Sequence, residues 1–216
     1  MASVVEPRKK LKPPKKAAGE PAWEIAFFYP MQGDWTERDY LALERNNGNW
    51  MIELSNGCLE VLPMPGLLHQ RIVNMLCRRL DDFILPRQLG ETAVAPLPIR
   101  LFAGTFREPD VAFFGSHRVL DEHEPPTGAD LVIEVVSPGK EARERDLEEK
   151  PADYAKAKIP EYWIVDPETK TITVLTLSGK SYKVHGVFKP GDQAASKLLK
   201  GFKIAVSEVF TAGEAK

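Results

Sequence analysis

Cysteine is scarce in this chain. Cys58 and Cys77 are the only two among 216 residues. That number excludes a disulfide framework, their spacing excludes a zinc knuckle, and both facts fit a reducing compartment. Long apolar runs are also missing. The longest, such as LVIEVV at 131–136, fall far short of the ~20 residues that a membrane span needs. The N-terminus is rich in lysine and proline with no apolar stretch behind it, so it does not read as a secretory signal. There is no glycine-rich phosphate loop, no HExxH and no usable Ser-His-Asp order, which removes the commonest nucleotide-binding, zinc-protease and serine-hydrolase readings. His117, His123 and His185 have no partner at a useful spacing. No internal repeat is apparent.

What is present suffices for one domain with a real core: 43% of residues are apolar and 28% charged. The net charge of −2 conceals an asymmetry. Residues 1–20 hold six Lys or Arg against two Glu, a balance of +4, which leaves −6 for the remainder. A mildly acidic body is unlike a constitutive DNA-binding module, so any grip on phosphate must come from local patches, the basic tail or a bound metal. The segment RKKLKPPKK at 8–16 cannot bury a core and reads as a disordered basic arm. It is either a solubilising tail or a phosphate-gripping arm whose effect fades with salt. The expected organisation is an arm at 1–20 and one folded domain at 21–216, with order starting near Trp23.

Periodicity places the elements. Residues 36–46 read as a helix with Thr36 as N-cap and Gly48 beyond its end. Residues 51–62 read as a hairpin around Asn56-Gly57, closed by Pro63 and Pro65. A second helix spans 67–85, with Leu68, Ile72, Leu76, Leu80 and Phe83 at helical spacing. Strands are expected at 94–101 and 106–114, interrupted by Pro96, Pro98 and the Gly104 turn. LVIEVV at 131–136 has the β-branched content of a central buried strand. A charged, partly helical segment at 141–158 leads to EYWIV at 161–165, which suggests a parallel strand pair. Residues 171–177 and 180–185 form a closing hairpin around Gly179. The fold class is α/β: a mixed β-sheet flanked by helices, with a closing antiparallel hairpin.

Three residues carry candidate chemistry. Glu134 stands inside LVIEVV, where an ionised carboxylate costs several kcal/mol unless a cation or hydrogen bonds compensate. The plainer alternative is a Glu at an exposed strand end, paired with an Arg. Asp110 follows Pro109 and opens the run VAFF; alone it reads equally as a turn-capping Asp, but with Glu134 it completes a pair of strand-end carboxylates suited to a hard cation such as Mg²⁺. Lys150 lies beyond the Ser137-Pro138-Gly139 turn. If the following helix packs back on the sheet, its ammonium can orient a water or offset phosphate charge; otherwise it is a solvated lysine in a charged run. The Asn56-Gly57 turn adds an independent point. It pairs Ser55 with Cys58, Leu54 with Leu59 and Glu53 with Glu60, so two carboxylates oppose each other on the face away from Ile52, Leu54, Leu59 and Val61. That repulsion needs a cation, a shared proton or open water. His69 continues the apolar stripe of its helix, either as a half-buried hydrogen-bonded histidine or as part of a site.

Five stretches in order complete the pattern: IELSNGCLEVLPMP followed by His69, then EPDVAFF, ADLVIEVVSP, DLEEKPADYAKAKIPEYWIVDP and GFKIAVSEVF. From about Thr36 to Phe210 the chain resembles the Uma-type restriction endonuclease family, a bacterial group within the PD-(D/E)XK nuclease superfamily. The resemblance implies a restriction-endonuclease-like fold and hydrolysis of phosphodiester bonds, of DNA above RNA. It also implies a Mg²⁺ or Mn²⁺ cofactor, a cytoplasmic location, no membrane association, and a homodimer as one admissible assembly. Asp110 and Glu134 match the two acidic residues of the motif. The superfamily's lysine normally stands two residues after the second acid, where this chain has Val136; its role passes to Lys150. Tyr154 matches a recurrent aromatic one helical turn on. Glu60 matches an acidic position able to reach the metal, and the Val136 carbonyl is a further expected ligand. Pro151 then requires the helix either to begin just before Lys150 or to displace it. The rival function is a nucleic-acid-binding or partner-binding domain that keeps the fold without turnover.

Overall fold

A computed structural model describes residues 32–46 and 51–214. The arm at 1–20, the start near Trp23 and the Gly48 stop lie outside the described residues. The first helix, α1 (Glu37–Asn46), begins where Thr36 caps it. The Asp39 amide donates to Thr36 Oγ1 at 3.2 Å, and the Asp39 carboxylate answers back to the Thr36 amide at 3.3 Å. Next, β1 (Ile52–Ser55) and β2 (Cys58–Val61) pair in the expected register, Glu53 opposite Glu60. Asn56 and Gly57 both have positive φ, 49° and 79°, the primed turn that matches strand twist. α2 (Leu67–Ile84) buries Ile72, Val73, Leu76, Leu80 and Ile84, and a short 3₁₀ turn (Leu85–Arg87) follows. Its first turn projects past the core: Leu68 is half exposed.

The prolines mark where the chain changes sheet. β3 (Gly90–Val94) ends before Pro96, and β4 (Ile99–Phe102) starts after Pro98. β5 (Thr105–Arg107) ends before Pro109, and β6 (Val111–Gly115) starts after it. The expected strands at 94–101 and 106–114 are therefore each divided, because a proline cannot donate to the ladder of an interior strand. β4 and β5 join the first hairpin in a four-stranded antiparallel sheet, ordered β2-β1-β5-β4. β3 and β6 belong to a six-stranded mixed sheet, ordered β10-β9-β8-β7-β6-β3. Here β7 (Leu131–Val135) and β8 (Glu161–Asp166) form the parallel pair, and β9 (Thr171–Ser178) with β10 (Ser181–Phe188) forms the closing hairpin. Between β7 and β8 run α3 (Lys140–Glu144), a π-helical turn (Arg145–Glu149) and α4 (Lys150–Lys156). A small pair, β11 (Gln193–Ala195) and β12 (Lys203–Ala205), and a last helix α5 (Val206–Gly213) complete the chain; α5 packs on α2.

β7 separates two cores by its alternation. Leu131, Ile133 and Val135 face α2 and α5, with Trp163 and Phe210. Val132 and Val136 face the other way, toward Tyr154, Ile159 and Tyr162. Glu134 lies on that second face, where the period of two calls for an apolar residue. Among the described residues, no helix is long and apolar enough to cross a membrane.

Candidate active site

Asp110 and Glu134 meet because of strand register. Val111 of β6 pairs with Ile133 of β7, so one further step along this antiparallel ladder sets Asp110 beside Glu134. Asp110 Oδ2 accepts the Val135 amide at 2.7 Å. His69, from the first turn of α2, brings Nε2 to 3.2 Å from Asp110 Oδ2 and 3.1 Å from the Val135 carbonyl. Burial disfavours the imidazolium, but the Asp110 hydrogen bond and the charges of Asp110 and Glu134 outweigh it, so the His69 pKa is raised.

Lys150 and Tyr154 sit one helical turn apart and converge on a single oxygen. Lys150 Nζ donates to Glu134 Oε1 at 2.8 Å, and Tyr154 Oη donates to the same atom at 2.5 Å. All three are buried. Lys150 also lies 3.6 Å from Glu53 and 3.7 Å from Asp146. Burial works against its ammonium, yet these carboxylates raise its pKa and keep it protonated. Glu134 moves the other way from an ordinary carboxyl. Burial raises it, Lys150 opposes, and Asp110, Asp146 and Glu53 add to the rise, which brings it to about 8.

The hairpin's opposed carboxylates have their cation. Arg107 Nη1 donates to Glu53 at 2.7 Å and to Glu60 at 2.6 Å, and Nη2 donates to Asp153 at 2.8 Å. Of the compensations weighed from sequence, open water is overturned, since Glu53 is fully buried. Burial raises the Glu53 carboxyl, but Lys150, Arg107 and the Glu108 amide together lower it to about 2.

Pro151 is accommodated by the π turn. The Lys150 amide bonds Arg145 O, five residues back. In that register Pro151 would bond Asp146 O, but it has no N–H. Tyr162 Oη fills the gap, donating to Asp146 O at 3.0 Å. α4 thus begins at Lys150, and the lysine is held inside rather than displaced.

These groups line one cleft: His69, Glu108, Asp110, Glu134, Val135, Ser137, Arg145, Asp146 and Lys150, with Met51, Leu62, Pro63 and Pro65 at the rim. Its inner space, about 30 Å³, suits a water or a metal ion. Two carboxylates and a carbonyl, completed by water and substrate oxygens, are a donor set that a hard divalent cation accepts. The excess of buried carboxylate that lifts Glu134 is what such a cation would relieve. Among the described residues, no three His, Cys, Asp or Glu side chains alone form a metal-holding group.

Two sequence expectations need correction. Glu60 is not at the cleft; it is turned into the Arg107 cluster, and Glu53 is the hairpin acid that approaches Lys150. The Val136 carbonyl is not there either. The Val136 amide bonds Val165 O of β8, and within a strand a residue's N–H and C=O point to the same side. Val135 is the residue whose amide and carbonyl face Asp110 and His69. Asp146, Glu108 and Arg145 were not singled out from sequence. Asp146 could have been, because it stands four residues before Lys150 on the same helical face; nothing local marks Arg145.

Comparison with known proteins gives three results. A model of the Uma2 family, described as "Putative restriction endonuclease", matches residues 38–207. No curated protein matches. Among solved structures, the chain is similar to a "putative nuclease belonging to DUF820" from Anabaena variabilis, with a TM-score of 0.68 and 18% identity, over 83% of this chain and 99% of that one. At this identity the likeness establishes the fold.

Proposed function

The chain belongs to the Uma2 family, and on that premise we propose that it is a divalent-metal-dependent endonuclease that hydrolyses phosphodiester bonds of DNA. The observation that supports this most is the meeting of Asp110, Glu134 and Lys150 in one small, carboxylate-rich cleft. Asp110, Glu134 and the Val135 carbonyl would hold Mg²⁺ or Mn²⁺, which when bound polarises a phosphate and acidifies a water. His69 fixes the Asp110 carboxylate from one side, and the Val135 amide fixes it from the other. Tyr154 holds Glu134 Oε1, so its second oxygen is left for the cation. Lys150, kept protonated by its carboxylate neighbours, donates to Glu134 Oε1 at 2.8 Å and would position the attacking water or offset the charge that develops on the phosphate. Residues 21–216 would form the nuclease domain and residues 1–20 a basic arm outside it, a solubilising tail or a grip on phosphate. The free Cys58 and Cys77 are compatible with work in the cytoplasm.

The test is cleavage of a supercoiled plasmid by the full chain. Cutting is expected with Mg²⁺ or Mn²⁺, and is expected to vanish in EDTA and in Glu134→Gln. DNA retention without any metal-dependent cutting favours the binding-only reading, and cutting that persists in EDTA rules the mechanism out.

A further inference from the structure

Three basic side chains line the cleft, and two are committed. Lys150 is held by Glu134, with Glu53 and Asp146 close by. His69 is held by Asp110 and the Val135 carbonyl. Arg145 differs. It is buried, with 8% of its surface exposed, and it lines the cleft, yet its guanidinium makes no hydrogen bond among the described residues. Its Nε is wholly buried and unsatisfied. The nearest carboxylate is that of its own neighbour, Asp146, with Nε 3.4 Å from Oδ1, a long ion pair, and Glu53 and Glu60 interact with it through charge alone. Asp146 is itself divided between the Ser137 amide at 3.1 Å and Lys150. A guanidinium has five donors in a fixed fork, and leaving the buried Nε unsatisfied is costly. The ligand that repays this is an oxyanion with two adjacent oxygens, and a phosphodiester has two non-bridging oxygens at the fork's spacing.

Position supports the same ligand. Arg145 opens the π-helical turn that delivers Lys150, and single π turns in helices gather at functional sites. The cleft has room for an ion or water, and a nucleic-acid backbone laid across its mouth would present a phosphate to Arg145. There the carboxylates repel phosphate, and Lys150 is already matched by three of them. Resting on the nuclease reading, we propose that Arg145 is the phosphate-binding residue of the cleft, its guanidinium fork donating to the non-bridging oxygens of a DNA phosphodiester next to the carboxylate pair.

The experiment titrates a short fluorescein-labelled DNA duplex with the full chain in EDTA over a range of salt, for the parent, Arg145→Gln and Arg145→Lys, with plasmid cutting in Mg²⁺ run beside it. For Arg145→Gln the expected result is binding about tenfold weaker or more, with a salt slope shallower by about 0.9, the share of one duplex phosphate contact. A purely structural role would lower the melting temperature and leave the slope of the folded fraction unchanged. If Arg145→Gln melts far below the parent, Arg145→Lys decides. It keeps the point charge but not the fork, so an unchanged slope with severalfold weaker binding is expected, and parental affinity overturns the proposal. A parent that binds and cuts DNA while Arg145→Gln matches its affinity and slope overturns the Arg145 assignment alone. A parent that neither binds nor cuts DNA overturns the nuclease reading and the assignment with it.

Discussion

Replacing Glu134 by glutamine should stabilise the metal-free protein at neutral pH, although it removes one partner of a buried ion pair. The Glu134 carboxyl is 3% exposed, and its pKa rises from 4.5 to about 8, first through burial and then through Asp110, Asp146 and Glu53. A raised carboxyl pKa contributes most below the unfolded value, and that contribution is lost as pH climbs through the folded one. Between pH 4.5 and 8 the folded state holds a proton that the unfolded chain releases, so at pH 7 folding forfeits about 3 kcal/mol relative to pH 4.5. Glutamine is neutral in both states and carries none of this. Both protein bonds to Glu134 end on one atom, Oε1, so the amide oxygen can keep them. The assay is chemical denaturation in EDTA at pH 4.5 and pH 7. The variant-minus-parent difference should grow by about 3 kcal/mol between the two, and saturating Mg²⁺ should stabilise the parent but not the variant. The competing picture is an ionised Glu134 in a settled salt bridge with Lys150; breaking it would cost about 3–5 kcal/mol at pH 7. A variant that is less stable than the parent by that amount at pH 7, and by nearly as much at pH 4.5, refutes the reasoning.

Arg107→Gln should destabilise by about 3–5 kcal/mol at pH 7, because it strands the buried Glu53 and frees Glu60 and Asp153; denaturation at pH 7 measures it, and a loss below about 1 kcal/mol would mean that the cluster is solvated. Deleting residues 1–20 should leave the melting temperature nearly unchanged, since a segment with so few apolar residues has no core to lose. If that arm touches phosphate, the deletion also flattens the salt dependence of duplex binding, and a melting temperature many degrees lower would show that it packs on the domain.

What sequence made legible was local. The Asn56-Gly57 hairpin could be built to the residue, because two positive-φ positions dictate both turn and register. The helix at 67–84 and the buried strand of Glu134 follow from periodicity alone. The opposed pair Glu53 and Glu60 could be seen to need compensation, but not that Arg107, more than forty residues on, would supply it. The division into two sheets was hidden for a related reason. Pro96, Pro98 and Pro109 announce interruptions, and only long-range pairing tells an interruption within a strand from a crossing between sheets. The Val136 error was avoidable, since alternation along a strand assigns adjacent carbonyls to opposite neighbours.

The displaced lysine has a physical account that strand spacing alone would miss. Two residues after Glu134, on the same face of β7, stands Val136, and its place is filled by the apolar cluster that includes Tyr154 and Tyr162. A lysine rooted there would have to bury its stem among those rings to turn its ammonium back to Glu134. Rooting it on the facing helix removes the conflict: Nζ reaches Glu134 Oε1 at 2.8 Å from the opposite side of the same space. That choice requires the helix to hold its first turn at a fixed height over the sheet. Pro151 ends the π register because it cannot donate, Tyr162 Oη takes over the Asp146 carbonyl left open, and Asp146 is left 3.7 Å from Lys150 with a side-chain oxygen on the Ser137 amide at the end of β7. The proline that looked like an obstacle to a lysine in this position is therefore one of the constraints that set it.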